Sequence, residues 1–418
     1  MEYGLLGEKL SHSYSPLIHS YFADYGYELV ERAPEELEEF LTSGDFKGLN
    51  VTIPYKKAVI PYLSEMSEAA KKIGSVNTVV RRSDGTLYGD NTDYGGLVYT
   101  FRSSGIDPRS KKALVLGSGG ASLTAVCVLR DLGAESVTVI SRTGDDNYEN
   151  IYDRHGDAEI IVNATPVGMY PNNGESPVDL SRLCKLCGVV DIVYNPWRTA
   201  LLLQAEALGV KCKGGLSMLV SQAALACEVF TGKRIGNGEI EKVRKAVLRQ
   251  TKNLILVGMP GSGKTTIGRR MAKFLGREFV DIDAMIVEKA GKTIPEIFAD
   301  DGEEAFRAIE TECAAEAGKM SSAVISCGGG IVTRERNYPL LRQNGTIIFI
   351  NRDISKLATR GRPVSASRPL EEIAAERMPI YKRWASVEVE NMGVSPTAGF
   401  LISFLHLKKK QGKGQSRK

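Results

Sequence analysis

The sequence predicts an α/β protein built on parallel sheets and divided into more than one folding unit. Three observations carry that reading. The chain has 418 residues, beyond the size at which a single hydrophobic core usually stops growing. Two glycine loops each follow an apolar strand-like run and open a helix-like one: Ala113-Leu-Val-Leu-Gly117-Ser118-Gly119-Gly120-Ala121 and Leu254-Ile-Leu-Val-Gly258-Met-Pro-Gly261-Ser262-Gly263-Lys264-Thr265-Thr266. Strand, glycine turn and helix make the βα unit of nucleotide-binding sheets. Between the two loops, short apolar runs at 136–140, 160–163 and 189–193 have the composition of strands buried on both faces.

In chain order, residues 1–100 form a first α/β unit, with strands at 3–7, 48–53 and 78–81. Residues 101–252 form a Rossmann-like dinucleotide unit. Its closing helix is placed at 239–250, where Ile240, Val243, Val247 and Leu248 share one face after Gly236-Asn-Gly238. Residues 253–408 form a third unit around the second glycine loop, joined by a few residues near Thr251-Lys252. Residues 409–418 read as a disordered basic tail. No internal repeat is evident.

Composition excludes several function classes. Hydrophobic residues make up 43% and charged residues 25% of the chain, inside the globular range. The 54 basic and 50 acidic residues leave a formal charge of +4, part of it in the terminal lysine-rich run. The folded body is therefore near neutral, and no basic stripe interleaved with aromatics points to nucleic acid. Seven cysteines, mostly in apolar segments, suit a reducing compartment without disulfides. Cys184 and Cys187 have C-x-x-C spacing but neither a second pair nor a nearby histidine, and read as structural. No apolar run reaches about 18 residues, and Met1-Glu2-Tyr3 leads straight into a strand-like segment rather than a targeting peptide. The expectation is a cytoplasmic protein acting on small molecules, with no membrane partner.

The second loop matches G-x-x-x-x-G-K-T in the strand-to-helix context that P-loops require. Gly261, Ser262, Gly263, Thr265 and Thr266 can wrap phosphates with backbone N–H groups at a helix N-terminus. Lys264 supplies charge at the β/γ-phosphates, and the Thr265 hydroxyl can ligate Mg²⁺. Asp281-Ile-Asp283 ends the next strand-like run, and period-two spacing puts both carboxylates on one face. Asp281 suits the metal shell and Asp283 an attacking hydroxyl. Gly302-Glu-Glu-Ala-Phe-Arg307, Gly328-Gly329-Gly330, the arginines 360, 362 and 368, and Glu376-Arg377-Met-Pro-Ile-Tyr381 supply cations and backbone donors.

Residues 253 to about 391 resemble shikimate kinase, whose P-loop, Asp-x-Asp, Gly-Glu-x-x-Phe-Arg, triple glycine and Glu-Arg-x-Pro-Ile-Tyr occur here in the same order. The resemblance implies that Asp283, Arg307, Gly329 and Arg377 hold shikimate, the arginines gripping its carboxylate as planar forks. One departure concerns the lid. The family shows Arg-Pro-Leu-Leu, whereas this chain offers Arg362-Pro363-Val and Arg368-Pro369-Leu; spacing to Arg377 favours Arg362 as the nucleotide contact, with Arg368 the alternative.

The first glycine loop only partly follows G-x-G-x-x-G, because Ser122 takes the last glycine position. After the next strand, Ser141-Arg142-Thr143 offers a cation and two hydroxyls where an NAD site usually offers an acid. That favours the 2′-phosphate of NADP, although Asp145 and Asp146 follow closely. Upstream lie Ser13-Tyr-Ser15-Pro16, with Ser15 read as a helix N-cap, Asn50-Val-Thr52-Ile-Pro-Tyr-Lys56, Val76-Asn77-Thr78 and Asp90-Asn-Thr-Asp93. Downstream lie Asn163-Ala-Thr-Pro-Val-Gly168-Met169, Tyr194 and Gly214-Gly215-Leu-Ser-Met-Leu-Val-Ser-Gln222.

Together these segments, over about residues 1–250, resemble shikimate dehydrogenase. The resemblance implies that Lys56 and Asp93 form the catalytic pair and that Ser13 and Ser15 bind the substrate carboxylate. Thr52, Asn77, Tyr194 and Gln222 then contact its hydroxyls. Gly117, Ser118, Gly119, Gly120, Ala121, Ser141, Arg142, Thr143, Ile192 and Gly215 are implied as cofactor contacts. The family often shows Asn-Arg-Thr plus another base at the 2′-phosphate clamp; Ser141 stands here instead, and no second base follows promptly. The combined expectation is reduction of 3-dehydroshikimate with NADPH and phosphorylation of shikimate with MgATP. An NAD- or quinate-preferring dehydrogenase, or a regulator with one inactive half, remains the alternative.

Overall fold

A computed structural model describes residues 1–10, 13–357 and 368–408. The candidate lid residues Arg360 and Arg362 and the tail at 409–418 lie outside the described residues. The chain divides into two compact units, Met1–Val247 and Leu248–Lys418. Among the described residues no helix is long and apolar enough to cross a membrane.

The first unit holds two sheets. One comprises β1 (Tyr3–Gly7), β2 (Tyr27–Glu31), β3 (Gly48–Val51), β4 (Glu65–Met66), β5 (Thr78–Arg81) and β6 (Leu87–Asp90), in the order β2-β1-β3-β5-β6-β4. It is mixed, because β5 runs antiparallel to both β3 and β6. The other comprises β7 (Lys112–Leu116), β8 (Ser136–Ile140), β9 (Ile160–Asn163), β10 (Gly188–Asp191) and β11 (Lys211–Lys213), in the order β11-β10-β9-β7-β8. All of its pairings are parallel. Its chain order reverses at β7, between β8 and β9, the place where open parallel sheets bind ligands beyond their strand ends. The two sheets have separate cores, one around Leu6, Leu49 and Val79 and others around Leu114, Ile161 and Val189.

The second unit holds one parallel sheet of β12 (Asn253–Val257), β13 (Phe279–Asp281), β14 (Val324–Ser326), β15 (Gly345–Asn351) and β16 (Val387–Glu390), ordered β13-β14-β12-β15-β16. Every residue of β12 is buried, as its Leu-Ile-Leu-Val run requires of a central strand covered on both faces. The reversal falls at β12, directly beneath the second glycine loop.

Several boundaries differ from those read in the sequence. The third strand stops at Val51, because the Tyr55 amide turns back to the Thr52 carbonyl. The 189–193 run stops at Asp191, whose own carboxylate takes the Val193 N–H at 3.0 Å and bends the chain. Ser15 lies inside the helix Ser15–Phe22 rather than capping it: Tyr14 is the cap residue, and the Ser15 N–H donates to Ser13 Oγ at 3.2 Å. Asp281 and Asp283 do not alternate along one strand. Asp281 ends β13 and caps the helix Ile282–Ala290, and Asp283 already lies in its first turn. The helix Asn237–Thr251 buries Ile240, Val243 and Val247 on one face.

Candidate active sites

In the first unit the turn after β3 and the start of the helix Thr92–Ser104 bring Lys56 and Asp93 together. Lys56 Nζ donates to Asp93 Oδ2 at 2.7 Å, with side-chain exposures of 27% and 16%. The Lys56 carbonyl accepts from the Val76 N–H at 2.8 Å, which pins the backbone beneath the ammonium. Asn91 caps the helix through Tyr94 N, so Asp93 is held in a fixed first turn.

Beside this pair is a floor of buried amides and hydroxyls. Asn77 Oδ1 accepts from the Thr92 N–H at 2.7 Å, and Asn77 Nδ2 donates to Gln222 Oε1 at 3.5 Å. Thr92 Oγ1 also donates to Gln222 Oε1 at 3.3 Å. Gln222 comes from the helix Leu216–Thr231, so the predicted residues of three distant segments converge. The floor continues through partners the sequence reading missed. Asn50 Nδ2 donates to Thr78 Oγ1 at 3.2 Å, and the Tyr27 hydroxyl donates to Asn50 Oδ1 at 2.7 Å. Thr52 is half-buried at the exit of β3. Ser13 and Ser15 meet at the helix start. The Tyr14 ring packs on Tyr194 with centroids 5.5 Å apart, and burial raises the pKa of the Tyr194 phenol.

The dinucleotide turn follows β7. Gly117 has φ +100, and a Cβ there would lie 2.9 Å from Thr165 Cγ2, so only glycine lets the loop after β9 pack this closely. Open space lies over Gly119 and Gly120, and Ser118 is exposed with them; Ala121 begins the first turn of the helix Gly120–Asp131. That arrangement leaves room for a pyrophosphate at the helix N-terminus. Gly215 packs against the Ile192 carbonyl with no room for a side chain.

At the end of β8, Ser141 N–H donates to the Asp146 carbonyl at 3.2 Å, while Arg142 and Thr143 are exposed. The nearby acid is already engaged. The Asp146 carboxylate pairs with His155 at 2.8 Å and Arg154 at 2.9 Å, and the hydrogen bond to His155 is the largest cause of its lowered pKa. Arg142 has no ion pair among the described residues.

In the second unit Lys264 is 7% exposed and folds back on its own loop, its Nζ donating to the carbonyls of Gly258 at 2.8 Å and Met259 at 3.0 Å. Thr265 Oγ1 donates to Asp281 Oδ2 at 3.1 Å and lies 3.2 Å from Ser326 Oγ. These three oxygens, on three elements, form a hard donor set that suits Mg²⁺. Ser326, at the end of β14, was not singled out in the sequence. Ser262 and Gly263 are held from behind by Asn391, whose Nδ2 donates to the Ser262 carbonyl at 2.6 Å. Thr266 and Gly261 line the same cavity.

That cavity, about 470 Å³, runs from the P-loop to Asp283, Arg307, Gly329 and Arg377. The triple glycine is explained by its neighbours. A Cβ on Gly328 would lie 2.6 Å from Asp283 Oδ1, one on Gly329 would lie 2.7 Å from the Pro260 ring, and one on Gly330 would run into the Arg307 guanidinium. The Tyr381 hydroxyl donates to the Gly329 carbonyl.

Arg307 is 4% exposed and already paired, with Glu310 Oε2 at 2.7 Å and Glu303 Oε1 at 3.1 Å. Glu310 is fully buried. Burial raises its carboxyl pKa against the opposing pull of Arg307. Among the described residues its other oxygen has no hydrogen-bond partner, and neither has Arg377 Nε. A wall with one orphaned cationic donor and one orphaned acceptor fits a ligand that carries both a carboxylate and hydroxyls. Glu310 lies one helical turn after Arg307, a spacing that could have flagged it. Arg368 pairs with Glu376 at 3.0 Å and lines, with Arg307 and Arg377, a neighbouring pocket that includes no P-loop residue.

These two geometries define a class: a lysine–carboxylate dehydrogenase site on a dinucleotide fold, followed by a P-loop phosphotransferase. Comparison with known proteins specifies it. Residues 5–79 match the model of the shikimate dehydrogenase substrate binding domain, and residues 260–400 match that of shikimate kinase. The chain is 39% identical over 255 residues to the shikimate dehydrogenase (NADP(+)) of Clostridium beijerinckii, spanning 56% of this chain and 93% of that one. A chorismate mutase/shikimate 5-dehydrogenase fusion from Clostridium acetobutylicum is 36% identical, with TM-score 0.56 over 59% of this chain and 96% of that one. Shikimate 5-dehydrogenase from Thermus thermophilus, in complex with NADP(H) and shikimate, is 32% identical with TM-score 0.52, over 59% of this chain and 99% of that one. The chain belongs to the shikimate dehydrogenase family and carries a shikimate kinase domain after it. It is a bifunctional enzyme of the shikimate pathway, an oxidoreductase and a phosphotransferase in one polypeptide.

Proposed function

We propose that the first unit reduces 3-dehydroshikimate to shikimate with NADPH and the second phosphorylates shikimate from MgATP. The observation that carries the first reaction is the Lys56–Asp93 pair, 2.7 Å apart beside a floor of buried amides. NADPH supplies the hydride. As it reaches the carbonyl carbon, the Lys56 ammonium stabilises the charge growing on oxygen and donates the proton. Asp93 orients the ammonium. Asn77, Gln222, Thr52 and Tyr194 read the ring hydroxyls in this scheme, and Ser13 and Ser15 the carboxylate. Gly117 to Ala121, Ile192 and Gly215 shape the cofactor trough, with Ser141, Arg142 and Thr143 at its 2′-phosphate end.

In the second unit Asp283 orients the attacking hydroxyl, and Arg377 with Arg307 receives the carboxylate. Thr265, Ser326 and Asp281 would hold Mg²⁺, which neutralises phosphate charge. Lys264 leaves its loop carbonyls to meet the β/γ-phosphates. Consecutive chemistry in one chain supports both assignments, since the product of the first step is the substrate of the second. The direct test is incubation of the full chain with 3-dehydroshikimate, NADPH and MgATP. Shikimate 3-phosphate is expected only with all three; omitting MgATP should leave shikimate, and omitting NADPH should leave the starting enone. No shikimate in the incubation without MgATP, or no shikimate 3-phosphate with all three present, would refute the assignment.

NADP preference rests on Arg142. Arg142→Ala should raise KM for NADPH about tenfold or more, the cost of one charge-assisted contact of ~1.5–3 kcal/mol, and leave KM for NADH nearly unchanged. Equal changes for both cofactors would make Arg142 a residue of the fold and reopen the NAD reading.

A further inference from the structure

Resting on the reductase reading above, we infer that Asp191 is a positioning residue for that reaction. Its carboxylate clamps together the loop that packs on the dinucleotide turn and the loop that carries Tyr194.

Asp191 ends β10 and is fully buried. Its Oδ2 accepts from Thr199 Oγ1 at 2.5 Å, and its Oδ1 accepts from Asn163 Nδ2 and from the Val193 N–H, both at 3.0 Å. Asn163 ends the neighbouring β9 and pairs with Asp191 in register. Its Oδ1 accepts from Thr165 N at 3.0 Å and from Thr165 Oγ1 at 2.7 Å, and Thr165 is the residue pressed against Gly117 of the dinucleotide turn. On the other side, the Val193 bond fixes the turn into Tyr194. Thr199 caps the helix Ala200–Ala207 and so closes the 192–199 loop. One carboxylate therefore ties together the loops that leave β9 and β10.

Burial raises the pKa of this carboxyl to about 6, against the three hydrogen bonds, which lower it. The charged groups on the elements packed against β10 are Lys211 and Lys213 on β11 and Glu206 on the helix Ala200–Ala207, paired with Arg198. Arg244 and Glu241 act on Lys213, and no charged group contributes to the Asp191 shift. The ionised form accepts all three bonds with charge assistance, which is the stronger arrangement. Protonation turns one oxygen into a donor and weakens the clamp. The stability sign is opposite. Because the folded pKa lies above the ordinary carboxyl value, ionisation costs the native state stability above about pH 6, and that cost is relieved as pH falls toward 4.

Function and stability therefore part company, and Asp191→Asn separates them in the full-length enzyme. The amide is isosteric and neutral, and it donates to Thr199 as a protonated carboxyl would. Expected at pH 8 are a tenfold or larger fall in kcat/KM for 3-dehydroshikimate reduction and weaker NADPH binding by fluorescence titration. Tm should stay at or above that of the wild type, and kinase turnover should be unchanged. The acid limb of the wild-type profile near pH 6 should disappear in Asp191→Asn. In Thr199→Val, which removes a bond that favours ionisation, the limb should move to higher pH. Unaltered NADPH affinity together with an unaltered acid limb would overturn the inference, as would a loss of activity that merely follows a fall in Tm. Absence of 3-dehydroshikimate reduction by the wild type would count against the reductase reading instead, and the NADPH titrations of wild type and variant would still decide the role of Asp191.

Discussion

Lys56→Ala is expected to lower NADPH-dependent reduction by about 10³-fold, with phosphorylation of added shikimate unchanged. General acid catalysis contributes ~10²–10⁴-fold, and loss of a preorganised donor to a developing oxyanion costs ~10²–10³-fold. The two roles belong to one atom in Lys56, so their losses overlap rather than multiply. The variant should fold, because Lys56 and Asp93 keep 27% and 16% of their side chains exposed, and the Asp93 carboxylate freed by the change can reach water. The turn itself is held by backbone, through the Lys56 carbonyl and the Val76 amide. Steady-state assays of both activities on the same preparation give the answer. A reductase rate within a few-fold of wild type would remove Lys56 from the proton path. A parallel loss of kinase activity in folded protein would show that the two units do not act separately.

What the sequence disclosed divides along a physical line. Glycine turns were legible because a strand, a turn and a helix N-terminus are contiguous, and the local pattern holds all three. The run Ile160–Asn163 was legible because a central parallel strand must be apolar, whereas Ser136–Ile140, read from its sequence as buried on both faces, is the edge strand of its sheet and only Ile140 is fully buried. Boundaries set by a side chain turning on its own backbone were not. Asp191 ends its strand early by capturing Val193 N, and Asp281 converts a strand into a helix start by capturing Asp283 N, which defeated the period-two reading of the two acids.

Pairings across the chain were equally hidden. The sequence showed Arg142 close to two acids, but only the fold shows that Asp146 is occupied by His155 and Arg154. The Tyr27–Asn50–Thr78 chain links three strands through side chains, and nothing in the composition of any one strand announces it. Glu310 differs, since it sits at helical spacing from Arg307; reading that helix for pairs of charges would have found it.

Lys264→Ala should lower shikimate phosphorylation by about 10³-fold while leaving the reductase untouched. Phosphoryl transfer offers little covalent work to a protein, so positioned charge at the phosphates is most of what catalysis consists of. The lysine has a second task in the structure as it stands. Its ammonium is buried and donates to the carbonyls of Gly258 and Met259, so it holds the loop's shape before nucleotide arrives. Alanine and Lys264→Met each remove charge and brace together, and the methionine keeps the length of the stem. If charge at the phosphates dominates, both variants lose turnover alike, and both still bind a fluorescent ADP analogue through the backbone N–H groups of the loop. If the brace dominates, both variants bind the analogue markedly more weakly than the wild type does. Full turnover in either variant, measured as ADP release dependent on shikimate, would leave the P-loop lysine without a role in the reaction.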